Sequence, residues 1–315
     1  MGNHAHHHHR DPSGRLLGSI LLNGLITIAE ITGGILSNSL ALVSDAIHNL
    51  SDTLALILAW AANRIGGRKP DTRRTFGYRR LEILSAFINA SVLAGISIWL
   101  MYEAVTRFVH PGEVRTGLMF VIALIGFGGN LVSMLFLRHD AHGNLNVKAA
   151  YIHLLGDTIS SVAVIAGALV IRYTGYTWID PLLTLVISIV IIRQAYGILR
   201  ASVEILMQST PEDLDIEEIV ALLEQNPVIR NVHHVHCWQL EDHDIQFEAH
   251  VETSRDMLLS ESNLLMAETE KLLREQFGIT HTTLQFEFEG CGDASCSVNG
   301  HPGHAAYGTG ASANG

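Results

Sequence analysis

The sequence predicts a multi-pass α-helical membrane protein, with six transmembrane helices followed by a C-terminal cytosolic α+β domain of ferredoxin-like fold. Two observations support this prediction. The 315 residues are 48% hydrophobic and 16% charged, with a mean hydropathy of +0.27, whereas soluble domains are about 25% charged. Long apolar runs fill about the first 200 residues, and the last third of the chain is more densely charged, so a membrane domain precedes a soluble one.

Six stretches are long and apolar enough to cross a bilayer, which takes about 20 residues of helix. They are residues 16–36, 40–62, 83–103, 116–137, 147–172 and 181–199. The first stretch does not resemble a cleaved signal peptide, because it is too long, it contains Asn23 and Glu30, and no small-residue cleavage pattern follows it. All six are therefore predicted to span the membrane, within a transmembrane domain at residues 15–208.

Lys and Arg near the ends of these stretches predict their orientation, because basic loops tend to stay in the cytosol. The loop between the second and third stretches contains Arg64, Arg68, Lys69, Arg73, Arg74, Arg79 and Arg80. The loop between the first two stretches contains no Lys or Arg. The basic loop is therefore placed in the cytosol, and six spans then place both termini there as well.

Three further segments surround the transmembrane domain. Residues 1–14 are rich in histidine and are expected to be disordered, as a natural metal-binding tail or as part of an expression tag. Residues 209–290 have the order helix, strand, strand, helix, strand, which is typical of a small α+β fold with helices on one face of a sheet. Residues 291–315 are rich in glycine and are expected to be disordered without metal.

Two elements of the C-terminal domain have a predicted buried face. In the strand at 244–252, alternation predicts one shared face for Ile245, Phe247, Ala249 and Val251. In the helix at 260–277, the predicted apolar stripe consists of Leu264, Leu265, Leu272, Leu273 and Phe277.

The same domain is strongly acidic. Residues 209–290 contain 18 Asp and Glu against 4 Lys and Arg, so the net charge is 4 − 18 = −14. This balance argues against nucleic-acid binding. The acidic surface either concentrates divalent cations by its field or serves only as a solvated surface.

Two predicted spans contain the pattern His-x-x-x-Asp. The second span contains His48 and Asp52 within SDAIHNLSD, and the fifth contains His153 and Asp157 within YIHLLGD. Residues four apart lie on one face of a helix, and helix rise places both pairs near the middle of the bilayer. Ionisable groups there are costly and are candidates for function. Two such faces packed together offer two nitrogens and two oxygens, a set suited to tetrahedral zinc and unlike the sulfur ligands of copper(I).

Two interpretations of these polar residues are possible. Buried polar pairs can also hold helices together by hydrogen bonds, but the same spacing at matching depths on two helices favours a metal site. Asp45 lies three residues before His48 and shares its face. It is a candidate accessory ligand, or a partner beyond the ligand shell, or a residue of helix packing.

These motifs resemble the cation diffusion facilitator family, and within it the bacterial zinc and cobalt-zinc-cadmium exporters. The resemblance covers about residues 15–290 and rests on SLALVSDAIHNLSD, FGYRRLEIL, LNVKAAYIHLLGDTISS, VHHVHCWQL and HTTLQFEFE. It implies a homodimer in the inner (plasma) membrane that exports zinc by alternating access with proton antiport. Cadmium, cobalt and nickel are the other expected substrates. The implied transport site consists of His48, Asp52, His153 and Asp157.

The resemblance also implies regulatory zinc in the cytosolic domain. The matching positions are His233, His250, His281 and Glu287. Strand alternation places His234 and His236 on one face and His233 on the other, so spacing leaves open which of the three binds metal. Cys291 and Cys296 are candidates for a further metal site in the tail.

Three classes of function could use these residues. A secondary transporter fits the paired site best, so no enzyme activity is expected. An intramembrane metalloprotease would need His-Glu-x-x-His and an open metal position, and the sequence has no such motif. The alternatives to zinc export are a membrane metal sensor without transport, or the same fold exporting mainly cadmium, cobalt or nickel.

Overall fold

The structure is a computed structural model of the chain, and it describes residues 12–138, 145–241 and 244–289. Most of the predicted N-terminal tail at 1–14 lies outside the described residues. So does the predicted tail at 291–315, with its candidate ligands Cys291 and Cys296.

Long helices form the first part of the described chain. They are α1 (Pro12–Ser37), α2 (Leu40–Gly66), α3 (Leu81–Val109), α4 (Thr116–Arg138), α5 (Leu145–Thr174) and α6 (Ile179–Leu206). Proline is favoured in the first turn of a helix, and α1 begins at Pro12, slightly before the predicted start of the membrane domain. By length and hydropathy, five of the described helices, α2 to α6, could cross a membrane.

The helical part has small apolar cores and an apolar outer surface. One core of buried residues joins α2, α4 and α5 through Leu42, Met119, Ala123 and Val164. Many large hydrophobic side chains of these helices point outward, Trp99 on α3 and Ile189 on α6 among them. An outward apolar surface on long helices is what a bilayer requires.

The start of α2 is fixed by a carboxylate from another helix. Asp180 of α6 accepts hydrogen bonds from the backbone N–H of Leu40 at 2.9 Å and of Ala41 at 3.3 Å, and from the Ser39 hydroxyl at 2.5 Å. The first N–H groups of a helix have no partner within it, and a negative charge there is stabilising. Asp180 is completely buried, so it ties α6 to α2 from inside the protein.

The C-terminal domain follows the predicted element order. It consists of α7 (Ile216–Leu223), β1 (Ile229–Glu241), β2 (Asp244–Thr253), α8 (Leu259–Phe277) and β3 (His281–Glu287). The described sheet has the order β1-β2-β3, with β1 and β2 antiparallel and β2 and β3 parallel. The predicted face of β2 is confirmed: Phe247, Ala249 and Val251 are buried, and Ile245 packs against their core.

The chain divides into two compact units. One unit contains Met1–Ile65 and Leu84–Arg200, and the other contains Gly66–Ile83 and Ala201–Gly315. The basic loop between α2 and α3 is therefore grouped with the C-terminal domain. In this second unit, Arg79 forms ion pairs with Asp244 of β2 and with Glu241 of β1.

Candidate metal centres

The predicted membrane residues meet in one place, which we call the α2–α5 site: His48, Asp52, His153 and Asp157. Each offers one donor atom, and the four donor atoms lie within 4.8 Å of one another. His48 Nε2 lies 3.6 Å from Asp52 Oδ2 and 3.4 Å from Asp157 Oδ1. His153 Nε2 lies 3.1 Å from Asp52 Oδ2 and 3.7 Å from Asp157 Oδ2. Imidazoles and carboxylates therefore alternate around a ring.

The spacing of these atoms matches a tetrahedral ion. Zinc binds imidazole nitrogen and carboxylate oxygen at about 2.0–2.2 Å, and the edge of a tetrahedron with that radius is about 3.3–3.6 Å. The four nitrogen–oxygen distances of 3.1–3.7 Å bracket this edge. Two of these distances use different oxygens of Asp157, so the four side chains have the spacing that one bound ion needs without forming the corners of a single tetrahedron.

The two halves of the α2–α5 site differ in exposure. The side chains of His48 and Asp157 are 11% and 8% exposed, whereas those of His153 and Asp52 are 44% and 35% exposed. The rings of His48 and His153 face each other edge-on, with centroids 5.8 Å apart.

Asp45 lies outside this group of donors. Its carboxylate accepts hydrogen bonds from Ser160 Oγ at 2.5 Å and from Ser161 Oγ at 3.3 Å, both on α5. Asp45 is 2% exposed. It therefore connects α2 to α5 beside the α2–α5 site, and both of its oxygens already have partners.

A second group of donors, the C-terminal histidine cluster, consists of His233, His234 and His250 together with Glu287. The three histidines each offer a nitrogen within 4.8 Å of the others. Glu287 Oε1 lies 2.7 Å from His250 Nδ1, and Glu287 Oε2 lies 3.6 Å from His233 Nε2. Burial lowers the pKa of the His233 imidazole below its ordinary value, against the opposing charge of Glu287, and the neutral ring is the form that binds metal.

A β-bulge in β1 builds this cluster. The pairing of β1 with β2 shifts register between His233 and His236, and His234 has a φ of 48°. An extra residue at a bulge breaks the alternation of side chains. The prediction that His233 and His234 lie on opposite faces is therefore wrong, because their ring centroids lie 5.1 Å apart. Spacing left open which of His233, His234 and His236 binds metal, and the bulge places His233 and His234 together in one cluster.

His281 does not join the cluster within the described chain. It pairs with Gln246, whereas His250 pairs with Gln285. The two histidines are thus four residues apart along the ladder, about 13 Å at the rise of a strand. Cys237, the one cysteine among the described residues, is buried. Burial raises the pKa of its thiol to about 11, which disfavours a thiolate ligand.

Two family models match the chain. The cation efflux transmembrane domain matches residues 16–207, and the cytoplasmic domain of cation efflux proteins matches residues 211–289. The chain is 37% identical over 303 residues to the "Cation efflux system protein CzcD" of Alcaligenes sp. (strain CT14). The aligned residues cover 95% of this chain and 95% of the relative. It is 38% identical over 308 residues to the "Zinc transporter ZitB" of Pectobacterium atrosepticum, covering 96% of this chain and 95% of the relative.

The name of a third relative lists the ions of that protein. The chain is 36% identical over 288 residues to the "Cadmium, cobalt and zinc/H(+)-K(+) antiporter" of Bacillus subtilis, covering 90% of this chain and 92% of that protein. The relatives are named as transporters and efflux systems rather than enzymes. Both the matched domains and the near-complete coverage show that this chain belongs to the cation efflux, or cation diffusion facilitator, family of membrane transporters.

Proposed function

We propose that this transporter exports zinc from the cytosol in exchange for protons, by alternating access, with the α2–α5 site as its transport site. The observation that supports this most is the ring of nitrogen–oxygen distances of 3.1–3.7 Å, which suits a tetrahedral ion with two imidazole and two carboxylate ligands. The name of the ZitB relatives supports zinc, and that of the Bacillus relative supports exchange for protons.

The proposed topology has six transmembrane spans with both termini in the cytosol. The length of α1, 26 residues, exceeds the roughly 20 residues that a span needs. The basic loop between α2 and α3 supports a cytosolic position of that loop, in agreement with a cytoplasmic C-terminal domain. We further propose a homodimer in the inner membrane, and a ferredoxin-like class for the C-terminal domain on the basis of its helix–strand–strand–helix–strand order.

The proposed substrate range includes cadmium, cobalt and nickel besides zinc. Cadmium and cobalt appear with zinc in the name of the Bacillus relative, and nickel rests on the family resemblance alone. Ligand type sets such ranges less sharply than geometry does, because the same nitrogen and oxygen donors bind several late divalent ions. The alternative of a metal sensor without transport predicts metal binding with no flux.

Reconstituted vesicles test transport and sensing together. We expect wild-type protein to move zinc into vesicles loaded with a zinc-sensitive dye, and we expect His153→Ala to abolish this flux. His110→Ala is the matched control, because His110 is exposed, directly follows the last residue of α3 and belongs to neither described group of candidate ligands. Binding of zinc without flux in the wild-type protein would favour the sensor. Normal flux in His153→Ala would remove the α2–α5 site from the proposal.

We also propose that the C-terminal histidine cluster binds regulatory zinc. His233, His234, His250 and Glu287 supply nitrogen and oxygen donors at the spacing described above, whereas His281 belongs to the proposal only if another chain supplies it. A cation there would offset the repulsion between two acidic domains. Zinc is therefore expected to strengthen the association of the C-terminal domains in scattering and sedimentation experiments, and this effect should be lost in His250→Ala.

A further inference from the structure

A buried carboxylate lies in the helical unit outside the α2–α5 site. Glu30 of α1 is 1% exposed. Its Oε2 accepts a hydrogen bond from Asn49 Nδ2 of α2 at 2.9 Å. Its Oε1 is buried and has no hydrogen-bond partner among the described residues. A carboxylate with one donor is far from satisfied, because each of its oxygens can accept two hydrogen bonds.

Helix α4 forms the opposite wall of this pocket. A Cβ atom at Gly126 would lie 1.7 Å from Glu30 Oε1, so the carboxylate occupies the space that glycine leaves. Asn130 lies one turn further along α4, on the same face. It is 5% exposed, and its Nδ2 has no partner in the described part of the chain. An unpaired acceptor and an unpaired donor therefore lie on neighbouring walls.

The surroundings decide which ligand suits the pocket. Helix α4 has no ionisable residue before Arg138, so that wall offers no counter-charge to Glu30. Among the residues whose side chains the structure describes, the ionisable groups that act on Glu30 are two acids, Asp45 of α2 and Asp157 of α5. A carboxylate without a cation is costly inside a membrane, and one with two acids nearby is more so.

A proton fits this pocket better than a metal ion does. Calcium and magnesium require six or more oxygen ligands, whereas the pocket offers one carboxylate between two asparagines. The backbone of α4 also closes the approach to Oε1, as the contact at Gly126 shows. A proton needs no such shell, and the resulting carboxyl group is neutral and can donate one hydrogen bond.

We propose that the pocket formed by Glu30, Asn49, Gly126 and Asn130 is a proton-binding site separate from the metal ligands, and that its proton leaves when the metal binds. The inference rests on the proposed zinc/proton exchange and assigns one of the exchanged protons to a residue. Asp157 supplies the connection, since it belongs to the α2–α5 site and also acts on Glu30. A dication on Asp157 cancels the repulsion that holds the proton on Glu30, and the linkage is reciprocal.

The first test counts protons in the purified, full-length protein. Zinc binding is measured by calorimetry in buffers of different ionisation enthalpy, which gives the number of protons released per zinc bound. We expect Glu30→Gln to release about one proton fewer than the wild type, because the amide cannot lose a proton. Zinc should still bind, because the four candidate ligands are intact, but with an affinity lowered by roughly tenfold, because the amide mimics the protonated carboxyl and the linkage is reciprocal. Equal proton counts in the two proteins would overturn the inference.

The second test moves the carboxylate without removing it. Gly126→Ala places a methyl group against Glu30 Oε1, whereas Gly128→Ala on the same helix meets no atom within 4 Å. We expect Gly126→Ala to weaken the acceleration of zinc flux by a pH gradient in reconstituted vesicles by at least about threefold, and Gly128→Ala to keep it. This pair decides the question if Glu30→Gln does not reach the membrane, and equal behaviour of the two alanine variants would then overturn the inference.

The controls separate this inference from the proposed function. If wild-type protein releases no protons and ignores a pH gradient, zinc/proton exchange itself is wrong and the inference fails with it. If the wild type exchanges protons and Glu30→Gln does so equally, only the inference fails. Potassium is tested by replacing it with a large organic cation. Loss of potassium dependence in Glu30→Gln, with an unchanged proton count, would assign the pocket to potassium and overturn the proton site.

Discussion

Each imidazole of the α2–α5 site lies between two carboxylates. Replacing a single side chain therefore changes the ratio of nitrogen to oxygen donors in the site. His48 is the more buried of the two histidines. Its Nε2 lies 3.4 Å from Asp157 Oδ1, on the helix opposite. An exchange at this position therefore changes the ligand set where water has least access to compensate.

We predict that His48→Asp shifts selectivity away from zinc, towards cadmium and manganese. The change replaces a borderline imidazole with a hard carboxylate and leaves one nitrogen against three oxygens. We expect the ratio of zinc to cadmium flux to fall by roughly tenfold, equivalent to about 1.4 kcal/mol of relative binding. The measurement is flux of each metal in reconstituted vesicles, normalised to inserted protein because the added charge lowers yield.

One outcome would contradict the prediction for His48→Asp. An unchanged zinc-to-cadmium ratio in the inserted mutant would show that His48 does not bind the ion directly. Asp45, three residues earlier on α2, would then be the better candidate, and its hydrogen bonds to Ser160 and Ser161 would have to break.

At the scale of secondary-structure elements, the periodicity of the sequence predicted features that regular helix geometry determines, and it did not predict irregular features such as the bulge in β1. The positions of the long helices and the pairing of His48 with Asp52 and His153 with Asp157 follow from apolar runs and helical spacing. In α8 the predicted stripe was partly wrong, because Leu265 and Leu273 are buried whereas Leu264 is 69% exposed. Bulges such as the one at His234 depend on pairing between strands, which a single strand's pattern does not contain.

The bulge itself leads to a prediction about stability. His234 has a positive φ of 48°, where a residue with a Cβ is strained and glycine is not. We expect His234→Gly to be more stable than His234→Ala by about 1 kcal/mol. At His236, an ordinary strand position, the order should be reversed, because glycine weakens a strand.

Chemical denaturation of the domain at residues 209–289 measures this order in the presence of a chelator. The domain is suitable because its core is formed by its own residues, such as Phe247 and Leu273. Both substitutions at His234 should also lower the stabilisation that zinc gives to the wild-type domain. Equal stability of the glycine and alanine variants at position 234 would mean that the bulge is not strained in solution.

At the scale of the whole molecule, one loop belongs to a different unit from the helices that it joins. The loop at Gly66–Ile83 is grouped with the C-terminal domain. Arg79 pairs there with Asp244, which also accepts hydrogen bonds from Gln246 at 2.9 Å and Thr280 at 2.7 Å. The loop is continuous with α2, which contains His48 and Asp52.

Transport by the whole protein is predicted to slow as cytosolic pH falls. His48 and His153 bind metal only as neutral rings, and an ordinary imidazole has a pKa of about 6.5. Lowering the pH from about 7.5 to about 5.5, a range that spans this ordinary value, therefore favours protonated imidazole, which cannot bind metal. We expect at least about a tenfold loss of zinc uptake over this range in vesicles with a fixed pH on the far side. A flat profile would contradict competition between zinc and protons.

The charges of the α2–α5 site also determine which charge on a bound ion the site can neutralise. Asp52 and Asp157 together contribute two negative charges, and neutral His48 and His153 contribute none. A divalent ion bound by these four residues therefore makes a group with no net charge, whereas sodium would leave one negative charge and a trivalent ion one positive charge. Because an uncompensated charge costs several kcal/mol in a low-dielectric interior, we expect the proposed transport site to select ions by charge before it selects by size or softness.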